Sequence, residues 1–221
     1  MPREIRITPS ILNADQTNLS SEIERVAAVS DLVHLDIMDN IFVPNFTYDF
    51  SRAKELISKS SIPVDAHLMV VEADTLGPNY AQIGCASVTI HAEASSDIAK
   101  TLKQIRLEGA RAGLAVKPGT EILDYAQFSE MVDMFLIMTV EPGFGGQSFM
   151  LEMLEKIKRA RSMIGDRPIW LQVDGGISES TIEMATLAGA DTFVAGSAVF
   201  KSEDPSAVVS RLRALAESVT D

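Results

Sequence analysis

The feature that most restricts this chain is a repeated alternation. Short, apolar, β-branched runs recur eight times, each followed by a longer amphipathic or turn-like run. The strand candidates are Ile5–Leu12, Leu32–Asp39, Val64–Val70, Ser87–Ala92, Ala112–Lys117, Met134–Val140, Ile169–Val173 and Thr192–Ala195. Each is largely apolar, as in strands covered on both faces. Between them, Leu19–Val29 sets Leu19, Ile23, Val26 and Ala27 on one helical face. Asp97–Leu107 does the same with Ile98, Leu102 and Ile105, and Gly109 supplies a stop. Met150–Ile164 runs to Gly165, and a helix capped by Ser178 or Ser180 runs to Ala188 ahead of Gly189. Asp204-Pro205 opens a last helix over Pro205–Ala216. Over 221 residues the eight units average about 28 residues each, one βα unit of a small barrel. Two α/β architectures accommodate this pattern: a single (β/α)8 TIM barrel and an open doubly wound sheet.

The polar residues favour the barrel. They fall at the C-terminal ends of the strand candidates: Thr8-Pro9-Ser10, then His34, Asp36, Met38 and Asp39, then His67 and Met69. Later strands end in Met138-Thr139-Val140-Glu141, Val173-Asp174-Gly175-Gly176 and Ala195-Gly196-Ser197. A barrel gathers these ends at one face, where an open sheet scatters them. The length suits one barrel domain over residues 1–221.

His34, Asp36 and Met38 alternate, so they share one face of a strand, and His67 and Met69 repeat that spacing on the next. Buried ionisable groups are costly unless paired or ligating. If the barrel closes, two imidazoles (His34, His67) and two carboxylates (Asp36, Asp174) converge, a set that suits one Zn²⁺, Fe²⁺, Mn²⁺ or Co²⁺ ion. His91 reads as a supporting residue beside them. Gly143, Gly145 and Gly146 follow strand six, Gly175 and Gly176 follow strand seven, and Gly196-Ser197 follows strand eight. Glycines let backbone amides approach an anion, and the loops after strands seven and eight of a barrel often hold phosphate. PGFGGQ also has the composition of a mobile lid. Met38, Met69 and Met138 sit near the same ends, either as core filling or as a soft wall around a planar intermediate.

The formal net charge of -12 argues against nucleic-acid and anionic-membrane partners, which both demand a basic face. A phosphate ligand must then be held by local amides or a metal. Cys85 is the one cysteine, so no disulfide framework exists within the chain, and no run reaches the length of a membrane span. MPREIRITPS has no apolar stretch of a secretory signal, and a cytoplasmic location is the expectation.

PSIL, HLDIMD followed by FVPN, HLMV, TVEPGFGGQSF, VDGGI and AGSAVF occur here in the order and spacing of the ribulose-phosphate 3-epimerases, which this chain resembles from Thr8 to Phe200. The resemblance implies a (β/α)8 barrel and interconversion of D-ribulose 5-phosphate and D-xylulose 5-phosphate. It implies that Asp36 and Asp174 are the two catalytic acid/bases, that His34, Asp36, His67 and Asp174 hold one divalent metal, and that Ser10 and His67 contact substrate. It further implies that Gly143, Gly145, Gly146, Gly175, Gly176, Gly196 and Ser197 cradle the phosphate, and that Met38, Met69 and Met138 line the reacting carbons. One segment departs: after HLDIMD the family usually reads Gly-His, and here stands Asn40-Ile41. That change leaves room for another phosphorylated ketose, such as a hexulose 6-phosphate. A related decarboxylase or aldolase would need a strand lysine, and Lys117 is the one at a strand end. Ile41 and Phe42 read as exposed apolar loop residues, which points to a homo-oligomer.

Overall fold

In the computed structural model, which describes residues 3–220, the eight runs are eight parallel strands. They are β1 (Arg6–Pro9), β2 (Val33–Met38), β3 (Val64–Met69), β4 (Ser87–His91), β5 (Arg111–Val116), β6 (Met134–Met138), β7 (Trp170–Asp174) and β8 (Thr192–Ala195). Neighbours pair in the order β1-β8-β7-β6-β5-β4-β3-β2. The remaining seam, between β1 and β2, is crossed by a parallel bridge from Ser10 to His34. The result is a (β/α)8 barrel, with β2, β3, β4, β6 and β8 buried along their whole length.

Around it lie α1 (Leu19–Ala27), α2 (Phe50–Lys59), α3 (Ala73–Gln82), α4 (Ile98–Leu107), α5 (Met153–Ile164), α6 (Ile182–Ala188), α7 (Ser197–Phe200) and α8 (Pro205–Glu217). Carboxylates start several of them: Asp49, Asp97 and Asp204 accept from the amides of Arg52, Lys100 and Ala207. Each helix lays one stripe on the sheet, such as Leu19, Ile23 and Val26 of α1 or Ala53, Leu56 and Ile57 of α2. The unit after β5 has a 3₁₀ helix over Ile122–Phe128 in place of an α-helix.

Some boundaries differ from the sequence expectation. β1 stops at Pro9, because Ser10 turns the chain into a 3₁₀ helix over Ile11–Asn13 and its Oγ accepts from Leu12 N. α5 starts at Met153, because Met150 N is bonded back to Thr139 O across the barrel mouth. Neither Ser178 nor Ser180 is the cap of α6. Thr181 takes that position, with its Oγ1 accepting from Ser178 N. α3 contains Gly77 and Pro78, both helix breakers, and packs closely on its neighbour: a Cβ at Gly77 would lie 3.0 Å from Ile105 Cδ1 of α4.

Candidate functional site

The strand register sets the site. His34, Asp36 and Met38 alternate along β2, and Asp36 pairs with His67 of β3 while Met138 of β6 pairs with Asp174 of β7. Their inward side chains therefore meet. His34 and His67 are fully buried, Asp36 nearly so, and Asp174 partly.

Four atoms of this group face one another. Asp36 Oδ1 lies 3.4 Å from both His34 Nε2 and His67 Nδ1, and Asp174 Oδ2 lies 3.7 and 3.4 Å from the same two nitrogens. A tetrahedron with bonds of about 2.0–2.2 Å has edges of about 3.3–3.6 Å. Neither ring nitrogen has a hydrogen-bond partner in this buried setting. Two orphaned imidazole nitrogens and two carboxylate oxygens, all within 4.8 Å of one another and with nitrogen-to-oxygen separations close to a tetrahedral edge, fit a divalent metal site. The charges agree. Burial pushes the His34 and His67 imidazoles down, but the neighbouring carboxylates outweigh it and raise both. Burial raises the Asp36 carboxyl, and the two imidazoles more than reverse that, holding it well below the usual carboxylate range. The pocket calls for positive charge.

Further residues brace this cluster. Ser10 Oγ donates to Asp36 Oδ2 at 2.6 Å. Asp65 Oδ2 accepts from His34 Nδ1 at 2.8 Å and from Gln172 Nε2 at 2.8 Å, while its Oδ1 accepts from Ser87 Oγ. His34 Nδ1–H is thereby committed, and Nε2 is left for the cluster. His67 Nε2 lies 2.9 Å from His91 Nε2, and His91 Nδ1 lies 3.2 Å from Glu93 Oε2. Burial, with His67 close by, pushes the His91 imidazole down to about 4 despite Glu93.

Above the four residues opens a cavity of about 510 Å³, counted with its mouth. Ser10, Asp36, Met38, Met69, Met138, Gly143, Gly145, Gly146, Asp174, Gly175, Gly176, Gly196 and Ser197 all line it. His34 and His67 are fully buried and not among its lining residues. Among the described residues no lysine or arginine lines it, and Lys117 sits instead with its Nζ 3.7 Å from the Phe42 ring centroid. Ile41 is 74% exposed and outside the cavity, on a turn that Asn40 completes at φ 60°, a left-handed value asparagine tolerates. Phe42 departs from expectation: it is partly buried, packed on Met38, Val43 and Met69 and against the His91 ring.

At several of the lining positions glycine is required by the protein itself as much as by any ligand. Gly176 has φ 68°, and a Cβ there would collide with the Phe149 backbone amide. A Cβ at Gly145 would run into the carboxamide of Asn13. Asn13, Asp65 and Glu93 were not marked by sequence reasoning. Asp65 carried a signal, because it lies two residues before His67 on the same face of β3. Asn13 carried none, since it reaches the cavity only through the 3₁₀ turn after Ser10. The PGFGGQ segment is tied: Asn45 Nδ2 donates to Gly143 O, and Gln147 Nε2 donates to Glu141 O and Phe144 O.

A (β/α)8 barrel whose strand ends gather two histidines and two aspartates under glycine-rich loops defines a barrel protein with a site fit for a divalent metal. The chain belongs to the ribulose-phosphate 3-epimerase family of isomerases, whose model matches residues 6–200. It is 46% identical over 216 residues to a ribulose-phosphate 3-epimerase of Mycobacterium leprae, covering 97% of this chain and 96% of that one. It is 40% identical over 217 residues to that of Escherichia coli, covering 96% of each. Among solved structures, a 3-keto-L-gulonate-6-phosphate decarboxylase from Vibrio cholerae superposes with a TM-score of 0.75 at 15% identity, over 98% of this chain and 99% of that one. That likeness concerns the fold. No helix of the described residues is long and apolar enough to cross a membrane.

Proposed function

We propose that this chain interconverts D-ribulose 5-phosphate and D-xylulose 5-phosphate by proton transfer at C3 between Asp36 and Asp174. The observation that carries the reading is the pair of carboxylates from β2 and β7, joined through two imidazole nitrogens at 3.4–3.7 Å on a cavity floor. Removal of the C3 proton leaves a flat intermediate, and inversion needs a new proton on the opposite face. Two acids from separate strands can flank such a plane, one ionised and the other protonated, with the roles exchanged for the reverse reaction. Ser10 donates to Asp36 Oδ2 and so orients that carboxylate. A divalent ion held by His34, Asp36, His67 and Asp174 would supply Lewis-acid polarisation of the C2 carbonyl; Zn²⁺, Fe²⁺, Mn²⁺ and Co²⁺ all suit the donor set.

Met38, Met69 and Met138 wall the cavity and exclude water from the reacting carbons. The phosphate goes to the opposite rim, held by amides around Gly145, Gly146, Gly176, Gly196 and Ser197, with Gly143 and Gly175 shaping the turns. With no lysine or arginine among the described lining residues, backbone amides and the side chains of Asn13, Gln147 and Ser197 are the donors at hand, and Lys201 Nζ stands 4.0 Å from where a Gly146 Cβ would lie. Ile41 stands outside the cavity, so the Asn40-Ile41 departure gives no support to a hexulose 6-phosphate. The catalytic unit spans 1–221, works in the cytoplasm, where the buried Cys85 stays a free thiol, and assembles with further copies through exposed residues such as Ile41, Phe42 being partly buried.

The test is a coupled assay of the zinc- or manganese-loaded chain in D₂O against ribulose 5-phosphate, a hexulose 6-phosphate and unphosphorylated ribulose. The pentose phosphate should be the best substrate, with deuterium entering at C3. Asp36→Asn and Asp174→Asn should each lower kcat by about 10²–10⁴. Equal turnover of ribulose and its phosphate, or full activity in either variant, rejects the assignment.

A further inference from the structure

We infer that Glu93 is a positioning residue for the metal cluster: acting through His91, it sets which nitrogen of His67 carries the proton and so keeps His67 Nδ1 bare for a divalent cation. The inference rests on the metal reading above.

The two imidazoles of the cluster are braced differently. His34 has a carboxylate, Asp65, directly behind it. Behind His67 stands a second imidazole. His67 Nε2 and His91 Nε2 are 2.9 Å apart, the ring centroids are 5.0 Å apart with 25° between the planes, so the two rings meet nearly end to end through these nitrogens, and both are fully buried. One of two facing nitrogens must hold the proton and the other accept it. The far side of His91 decides which. Its Nδ1 faces Glu93 Oε2 at 3.2 Å, and an ionised carboxylate only accepts. Three contacts hold Glu93 down to about 2, against the burial that raises it: His91, Thr120 Oγ1 and, at 2.8 Å, Lys117 N. His91 therefore carries its proton on Nδ1 and accepts on Nε2. His67 must donate from Nε2, which leaves its Nδ1 lone pair aimed between Asp36 Oδ1 and Asp174 Oδ2.

The far end of this relay is anchored. Lys156 is 5% exposed and donates from Nζ to Lys117 O, Pro118 O and Thr120 O at 3.1, 2.6 and 2.7 Å. That clamps the segment whose Lys117 and Thr120 grip Glu93 Oε1. Phe42 covers His91 from the mouth side, with ring centroids 4.9 Å apart.

Glu93→Gln separates this role from a merely structural one. The glutamine oxygen satisfies two donors if it faces Lys117 N and Thr120 Oγ1, and one if it faces His91, so the loop keeps the oxygen. The amide NH₂ then confronts His91 Nδ1, the relay inverts, and the His67 proton moves to Nδ1, inside the cluster. Zn²⁺ affinity, measured by competition with a chromophoric chelator, should fall about 10–100-fold in Glu93→Gln. Thr120→Val removes a loop bond but leaves the relay, and should keep wild-type affinity. Ring ¹⁵N shifts of the zinc-bound wild type should show His91 protonated on Nδ1. Wild-type affinity in Glu93→Gln, equal loss in Thr120→Val, or a His91 proton on Nε2 overturns the relay. A wild-type chain that binds no divalent ion overturns the metal reading itself.

Discussion

Asp65 makes the supporting network around His34 quantitatively testable. It is 1% exposed and accepts from three buried donors: His34 Nδ1, Gln172 Nε2 and Ser87 Oγ. Burial raises its carboxyl, but these donors, His34 first, outweigh that and hold it below the usual range. Asp65→Ala leaves all three without an acceptor. At about 1–3 kcal/mol for each orphaned donor, the loss is about 3 kcal/mol or more, a large part of a typical domain's stability. Asp65→Asn is different. Its carbonyl oxygen can accept from His34 and Gln172 while its NH₂ donates to Ser87, whose hydroxyl rotates to accept, so only the charge is lost. About 1–2 kcal/mol is expected there. Urea unfolding with a strong chelator present isolates the network from stabilisation by bound metal. Failure of Asp65→Ala to fold while Asp65→Asn folds is the same result at its limit. A loss under about 1 kcal/mol for Asp65→Ala, or equal losses in the two variants, refutes a closed, fully satisfied network.

Two further outcomes follow from local geometry. Gly176→Ala forces a Cβ into the Phe149 amide at φ 68°, and kcat/KM should drop by more than about 100-fold with the far-ultraviolet circular dichroism retained; near-wild-type turnover would show that the loop relaxes freely. Asp74 is partly buried, which raises its carboxyl, yet bonds from Ser95, Ser96 and Thr101 hold it below its ordinary value. Its contribution is thus present above the unfolded pKa near about 3.9 and is lost as pH falls through the lower folded value. The stability difference between wild type and Asp74→Asn should be full at pH 7 and shrink in acid; a difference that stays constant down to pH 2 contradicts the assignment.

The barrel was legible in the chain because covered strands are apolar throughout and bounded by polar ends, a pattern that tertiary packing does not blur. The convergence of His34, Asp36, His67 and Asp174 followed from period-two spacing and closure alone. What stayed hidden depended on contacts between distant segments. α3 defies its Gly77 and Pro78 because close packing on Ile105 outweighs local propensity. Asn13 enters the cavity through a turn that only the Ser10 cap creates. Glu93 reads as no more than a polar neighbour of His91 on the same strand face until the segment around Lys117 and Thr120 is brought to it. Phe42 looked exposed for the same reason: its cover comes from Met38, Met69 and His91, on three different strands.

The seam between β1 and β2 gives the site a history as well as a shape. Ser10 bridges His34 there, and β1 is held on its other edge by β8, whose partner residues lie at the far end of the chain. During synthesis at about 5–20 residues per second, roughly 140 residues must follow Asp36 before Asp174 exists, an interval of about 7–30 s. Once His67 has followed Asp36, two imidazoles and a carboxylate stand on an open, growing half-cylinder with no fourth donor. Zinc-like ions met at that stage can be held only by an incomplete set. The tetrad is thus a property of the closed ring and of neither half. A chain split between β4 and β5 would retain every βα unit yet own no complete cluster until its two pieces found each other.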